Sequence, residues 1–241
     1  SVIVGTGAGG GTAAEILTQA GLDVVLIEEG PLRTTRDFRL DERSAYRDLY
    51  QEGAARTTKD GSMMILQGRN VGGSTTVNWT SSFRTPEQTL LHWDSVHGIK
   101  GMQKEQMAPW FDRMEKRLNI GQWTMPANPN NDVIRRGCEQ LGWSWESIPR
   151  NVNGCWNLGY CGLGCPTNAK QSMLVTTIPE ALKRGARLYH RARAEKIIHD
   201  GKRATGVLCL GMRQDGVTPT GVTVTVRARH VLLAGGGINN P

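Results

Sequence analysis

Three glycines and one acid near the start of the chain have the types and spacing that suit nucleotide binding. Gly5, Gly7 and Gly10 form a G-x-G-x-x-G pattern between a short apolar run and a helical pattern. The first glycine allows a tight turn, the second lets backbone approach a pyrophosphate, and the third lets the helix pack closely on the strand. Glu28 ends the next apolar run, about 20 residues further on, where a carboxylate would bind ribose hydroxyls. We predict a dinucleotide site. The alternative is a plain βαβ unit with a glycine-rich turn.

The acid at position 28 disfavours a 2′-phosphate, and therefore NADP. Two further glycine-rich stretches lie far along the chain, at residues 68–78 (GRNVGGSTTVN) and 231–237 (VLLAGGG). Glycines let backbone amides approach a ligand. A compact NAD domain needs only the first stretch, whereas FAD sites are built from separated stretches, so the pattern favours FAD.

Three of the cysteines, Cys155, Cys161 and Cys165, lie close together in a glycine-rich stretch. Their spacing is compatible with a metal or iron–sulfur site. It is equally compatible with small packing residues in a tight loop, or with one disulfide in an oxidising compartment. We predict packing thiols and no metal, with an iron–sulfur cluster as the alternative.

The order of apolar runs and helical patterns predicts an α/β protein with a Rossmann-like FAD/NAD(P)-binding fold, a three-layer sheet and an inserted loop-rich segment. We predict that residues 1–120 form the first part of the FAD-binding domain, that residues 121–168 form a loop-rich insert toward the substrate, and that residues 169–241 complete the domain. Within the helical stretch 86–118, the spacing of Trp110, Met114 and Leu118 predicts one buried helix face.

The chain has 241 residues and a formal net charge of +7. Its basic residues are interspersed with acids, which disfavours a nucleic-acid surface. No apolar run approaches the roughly 20 residues of a membrane span. The sequence opens directly on a strand and closes just after three glycines, so we expect a fragment of a larger protein and make no prediction of its localisation.

Taken together, these motifs resemble the N-terminal half of the glucose–methanol–choline (GMC) flavin oxidoreductases. Residues 5–10 and 28–31 (EEGP) are similar to the family's FAD fingerprint and strand end, and residues 68–78 to its signature loop along the pyrophosphate and flavin. The cysteine stretch, residues 155–172, is similar to the branch that contains gluconate and sugar dehydrogenases and long-chain alcohol oxidases.

The resemblance implies FAD as the cofactor and hydride transfer to flavin N5 from the CH–OH group of an alcohol or sugar-type donor. The implied cofactor-binding residues are Gly5, Thr6, Gly7, Ala8, Gly9, Gly10, Glu28, Gly68, Gly72, Gly73, Ser74, Asn78, Ala194 and Gly235. In the family the catalytic base is a histidine near the C-terminus, so we expect no catalytic residue in this chain. We interpret its own histidines as surface or packing residues: His92, His97, His190, His199 and His230.

The implied partners are a small-molecule alcohol or sugar and an electron acceptor, which could be oxygen, a quinone or a cytochrome. Two other functions remain open from the residues alone. One is an NAD-dependent dehydrogenase, which the first motif by itself would serve. The other is a nucleotide-binding module without catalysis.

Overall fold

The computed structural model describes residues 1–240 and has the α/β fold predicted from the sequence. Contacts within the chain define two compact units. One consists of Ser1–Trp79 and Asn153–Pro241, and the other of Thr80–Val152. Among residues 1–240, no helix has the length and apolar character needed to cross a membrane.

A parallel sheet of four strands forms the centre of the first unit. Its strand order is β5-β2-β1-β9, and the strands are β1 (Val2–Val4), β2 (Val25–Glu28), β5 (Arg187–His190) and β9 (Val231–Leu233). The strands β1 and β2 are unbroken apolar runs until the acid at position 28 because a parallel sheet covered on both faces buries every residue. The register pairs Val4 with Ile27 and Val2 with Val231.

An antiparallel sheet of three strands packs on one face of the parallel sheet. It consists of β6 (Ala192–His199), β7 (Ala204–Met212) and β8 (Pro219–Arg227). Val2, Val25 and Ile27 form one buried cluster with Val207 and Cys209 of β7. The alternate side chains of β1 and β2 are also buried, and α1 (Ala8–Gln19), which contacts β1, packs along α7 (Thr177–Lys183). Helices, parallel sheet and antiparallel sheet therefore make three layers.

A second buried cluster holds the segment between residues 31 and 79. Its members come from α2 (Glu42–Leu49), a 3-10 turn (Gln51–Ala54), α3 (Ser74–Val77) and a second 3-10 turn (Cys161–Leu163), and from the positions just before and just after α2. They are Phe38, Ala45, Leu49, Tyr50, Ala54, Val77 and Leu163. This cluster anchors α3, and with it residues 68–78, against the segment that carries the cysteines.

The second unit contains three helices and one short antiparallel pair. These are α4 (Glu87–His97), α5 (Lys104–Arg117), α6 (Pro129–Leu141), β3 (Ile120–Gly121) and β4 (Arg150–Asn151). The predicted buried face of α5 is wrong, because no residue of α5 is buried and Trp110 is 58% exposed. Periodic spacing identifies residues that share a helix face, but it does not supply an element to pack against that face.

The two compact units are divided after residues 79 and 152, whereas the sequence analysis divided the chain after residues 120 and 168. Residues 80–120 belong to the second unit, whereas residues 153–168 belong to the first. Hydrogen bonds tie the cysteine stretch to the rest of the first unit: Tyr50 donates to Gly162 O, and Lys170 of the stretch donates to Thr76 O. That residues 121–168 lie toward the substrate stays a prediction.

Candidate cofactor site

The three glycine-rich stretches meet around one cavity of about 420 Å³ in the first unit. This volume lies within the range of small-molecule and cofactor sites. The cavity lies at the carboxyl ends of β1, β2 and β9, which is where open parallel sheets bind ligands. Predicted cofactor residues that line it are Gly5, Thr6, Gly7, Ala8, Gly9, Glu28, Gly68, Gly73, Ser74, Ala194 and Gly235.

Two of the fingerprint glycines are required by the protein itself. Gly5 has φ +96°, and a Cβ atom there would overlap the carbonyl oxygen of Ala234. A Cβ at Gly10 would overlap the carbonyl oxygen of Gly5. These contacts hold the start of α1 tightly against β1 and the end of β9. Gly10 lies behind the turn and does not line the cavity.

Gly7 differs from these two because the protein leaves open space beside it. It has ordinary extended backbone, with φ −69°, and a Cβ there would meet only the Cα of Gly73 at 3.9 Å. Gly7 is the N-cap of α1, so the free N–H groups and the positive end of the helix dipole face the same space. A cavity beside a side-chain-free helix N-terminus fits the pyrophosphate of a dinucleotide such as FAD.

Glu28 lies at the end of β2, is only 6% exposed, and lines the cavity. Its Oε2 accepts hydrogen bonds from the hydroxyl of Thr6 at 2.6 Å and from the Thr6 N–H at 3.1 Å, and its Oε1 accepts one from the Gly30 N–H at 2.9 Å. Burial raises the pKa of Glu28, and the hydrogen bonds from Thr6 and Gly30 oppose that shift. The acid therefore sits where it can accept from a ribose.

The signature loop, residues 68–78, packs its backbone directly on the fingerprint turn. Gly72 and Gly73 have φ +95° and +54°, and a Cβ at Gly73 would lie 2.8 Å from the Cα of Gly7. The N–H of Gly72 donates to the Thr6 hydroxyl at 3.1 Å, and the N–H of Gly68 donates to the Ser74 hydroxyl at 3.0 Å. Gly72 and Gly73 are therefore needed for the contact between the signature loop and the fingerprint turn, besides any role in binding a ligand.

A buried lysine holds the end of this loop. Lys170 is 3% exposed, and its ammonium donates to the carbonyls of Thr76, Asn78 and Cys161 at 2.8, 2.7 and 2.6 Å. Two of these carbonyls lie at the C-terminal end of α3, where a cation complements unpaired carbonyls. Asn78, which the sequence predicts as a cofactor-binding residue, lies at this anchored end and does not line the cavity. Gly72, another predicted residue, does not line it either.

We expect Lys170→Met to lower the free energy of unfolding by about 3 kcal/mol, because it removes a buried ammonium that donates to the carbonyls of Thr76, Asn78 and Cys161. Lys183→Met is the matched control, since Lys183 lies 75% exposed on α7 and should change stability little. Urea unfolding of both variants measures the difference. Equal unfolding midpoints would contradict the role of Lys170 as an anchor.

The third glycine-rich stretch, residues 231–237, forms one wall of the cavity. Polar residues that the sequence analysis did not identify lie next to it. Arg56 donates to the side-chain oxygens of Gln67 at 2.9 Å and Asn239 at 3.1 Å, and Gln67 donates to Gly235 O at 3.4 Å. Gln67 and Asn239 line the cavity. They lie on irregular segments with no repeating pattern, so no spacing in the sequence marks them.

Ala194 lies at a β-bulge on the rim of the cavity. In the pairing of β6 with β7, Ala194 faces Cys209 and Lys196 faces Leu208, which leaves Glu195 as the extra residue. A bulge disrupts the ladder and leaves backbone groups available for other partners. This geometry suits the backbone contact to adenine that the resemblance implies.

The cysteines do not form a metal site in this structure. Within residues 1–240, no group of three or more His, Cys, Asp or Glu side chains is arranged to hold a metal ion. Cys155, Cys161 and Cys165 are partly buried free thiols, and Cys165 lies 3.4 Å from the Thr167 hydroxyl and 3.5 Å from the Lys170 N–H. Burial raises the pKa of Cys165, but these hydrogen bonds outweigh it and lower the pKa overall.

None of the histidines within residues 1–240 lines the cavity. His190 ends β5 beside Glu28, and burial together with Arg191 and Arg33 lowers its pKa. His92 and His97 lie edge to face on α4, with ring centroids 5.2 Å apart.

A Rossmann-like fold that combines this fingerprint, an acid after the second strand and a second glycine loop over the helix N-terminus is typical of a dinucleotide-binding domain. The family model for GMC oxidoreductase matches residues 46–241. The chain is 36% identical to the long-chain-alcohol oxidase FAO4B of Arabidopsis thaliana over 82% of its own length. It is 34% identical over its whole length to the GMC-type oxidoreductase Rv0492c of Mycobacterium tuberculosis. The chain therefore belongs to the GMC oxidoreductase family.

The chain spans 26% of the Arabidopsis protein and 38% of the mycobacterial one. Solved structures share its fold. An FAD-dependent oxidoreductase from Chaetomium thermophilum has a TM-score of 0.72 at 18% identity over 98% of this chain and 45% of that one. A formate oxidase of Aspergillus oryzae, studied for FAD modification, has a TM-score of 0.66 at 16% identity over 98% of this chain and 45% of that one. FAD is the cofactor of the family, as predicted, and nothing in these comparisons supports NAD.

Proposed function

We propose that the protein oxidises the CH–OH carbon of an alcohol-type donor. The observation that carries this proposal is the meeting of three separated glycine-rich stretches and Glu28 around one cavity, in a chain of the GMC family. FAD, when bound, would accept the hydride from the donor carbon at flavin N5.

The residues of this chain would hold the cofactor. Gly7 and the N-terminus of α1 would bind the pyrophosphate through backbone N–H groups, and Glu28 would accept from the ribose. As the resemblance implies, the backbone beside Ala194 would contact the adenine, and the signature loop would hold the pyrophosphate and flavin. The proton of the substrate hydroxyl needs a base. The family resemblance implies a histidine near the C-terminus of the whole protein as this base, and no histidine of residues 1–240 lines the cavity.

The relatives favour an alcohol over a sugar as donor and oxygen as acceptor, because the curated relatives include long-chain-alcohol oxidases. The residues of the cavity do not discriminate among donors, since they serve the cofactor. The substrate class therefore rests on the likeness in sequence.

The test uses the full-length protein, purified and reconstituted with FAD. We expect flavin absorbance, anaerobic bleaching by dodecanol but not by glucose, and recovery of the colour in air faster than with a soluble quinone or cytochrome c. Bleaching by glucose alone would move the donor class to sugars. A protein that binds FAD but is bleached by no alcohol or sugar would be a non-catalytic module, and a protein without flavin would overturn the proposal.

A further inference from the structure

One buried hydroxyl connects three parts of the cofactor site. Thr6 is fully buried, and its Oγ1 donates to Glu28 Oε2 at 2.6 Å while it accepts from the Gly72 N–H at 3.1 Å. A hydroxyl has one proton to donate and can accept in return, so both contacts can exist together. The fingerprint turn, the end of β2 and the signature loop therefore share one side-chain atom.

The contacts of Glu28 leave one of its oxygens with room for a further donor. Oε2 accepts both the hydroxyl and the N–H of Thr6, and Oε1 accepts the N–H of Gly30. A carboxylate offers about four acceptor positions on its two oxygens. Thr6 occupies those of Oε2, so the remaining position belongs to Oε1.

We propose that Thr6 is a positioning residue, whose hydroxyl keeps Glu28 oriented for the ribose of FAD and fixes the signature loop to the fingerprint turn. This inference rests on the proposed FAD site. The single proton of the hydroxyl is donated to Glu28, so Thr6 has none to donate to the cofactor, and its hydroxyl acts on the site through Glu28 and Gly72.

The same contact favours the ionised form of Glu28. Burial raises the pKa of Glu28, the Thr6 hydroxyl lowers it, and the neighbouring charge of Glu29 raises it. The other charged or titratable groups around it are His190, beside Glu28 on β5, Arg69 on the signature loop, and Arg193, Glu195 and Lys196 of β6 on the cavity wall. The first turn of α1 carries no acid. Because the pKa is raised, the ionised acceptor is present above that pKa and is lost as the pH falls through it.

Thr6→Val tests the proposal, because it keeps the shape and removes the hydroxyl, whereas Thr6→Ser keeps the hydroxyl. We expect Thr6→Val apoprotein to bind FAD about 10- to 100-fold more weakly at neutral pH, since it loses a hydrogen bond to a charged group. We also expect its FAD affinity to fall at a higher pH than that of wild type. Thr6→Ser should match wild type in both measurements, and Glu28→Gln should remove this pH dependence.

Equal affinities and equal pH profiles for Thr6→Val and Thr6→Ser would overturn the proposal and leave Thr6 as a space-filling residue. If Thr6→Val does not fold, Thr6→Ala carries the same comparison, because it also removes the hydroxyl and adds no atoms to the buried site. Failure of wild-type protein to bind FAD would instead count against the proposed function, so the two failures are distinguishable.

Discussion

Gly7→Ala is expected to yield a folded protein that binds FAD about 100-fold more weakly than wild type. Its backbone, with φ −69°, accepts alanine, and the new methyl group would meet only the Cα of Gly73 at 3.9 Å, an ordinary contact. The methyl group would therefore cost the apoprotein little. It would occupy the space beside the N-terminus of α1 that the pyrophosphate needs.

Gly10→Ala is the matched control for this variant. A Cβ at Gly10 would overlap the carbonyl oxygen of Gly5, and Gly10 does not line the cavity. We expect this second variant to lower the stability of the apoprotein itself. Gly7→Ala therefore tests whether the bound cofactor requires glycine, and Gly10→Ala tests whether the fold requires it.

The measurements are the flavin content of each purified protein, FAD titration, and the melting temperature without FAD. Melting must be compared between apoproteins, because bound FAD stabilises wild type by mass action. A Gly7→Ala protein that retains stoichiometric flavin would show that the pyrophosphate does not lie over Gly7.

Much of the fold and of the candidate site can be predicted from the sequence because local requirements fix those residues. Gly5 and Gly10 face backbone atoms, so only glycine fits, and this leaves a recognisable pattern. The unbroken apolar strands β1 and β2 follow from burial on both faces of a parallel sheet. The convergence of the three glycine stretches could be inferred only by analogy with FAD sites that are built from separated stretches.

The rest depends on contacts between segments that no spacing records. Gln67 and Asn239 reach the cavity wall through Arg56, which joins residues far apart in the chain. The Thr6 hydroxyl contacts Glu28 and Gly72, and no motif or spacing in the sequence indicates this link. Trp110 shows the converse, since its helical spacing is real but its side chain is 58% exposed.

Gly73→Val is expected to abolish FAD retention and to lower the free energy of unfolding by about 3 kcal/mol or more. Gly73 has φ +54° and ψ −144°, a conformation that side chains rarely adopt, and a Cβ there would lie 2.8 Å from the Cα of Gly7. The cost therefore has two parts, backbone strain and separation of the signature loop from the fingerprint turn. The second part also moves Gly72, whose N–H binds Thr6, and disturbs the wall that faces the pyrophosphate.

Gly21→Val separates these two parts, because Gly21 also has a positive φ of +78° but has nothing within 4 Å of its Cβ position. It lies just after α1, away from the cavity lining, so it should show the backbone strain alone and keep its flavin. Urea unfolding and flavin content of the two variants give the comparison. If Gly73→Val unfolds together with Gly21→Val and holds FAD as wild type does, the close contact of the two glycine loops is not required. If it loses both stability and flavin while Gly21→Val keeps its flavin, the contact between Gly7 and Gly73 is what forms the cofactor site.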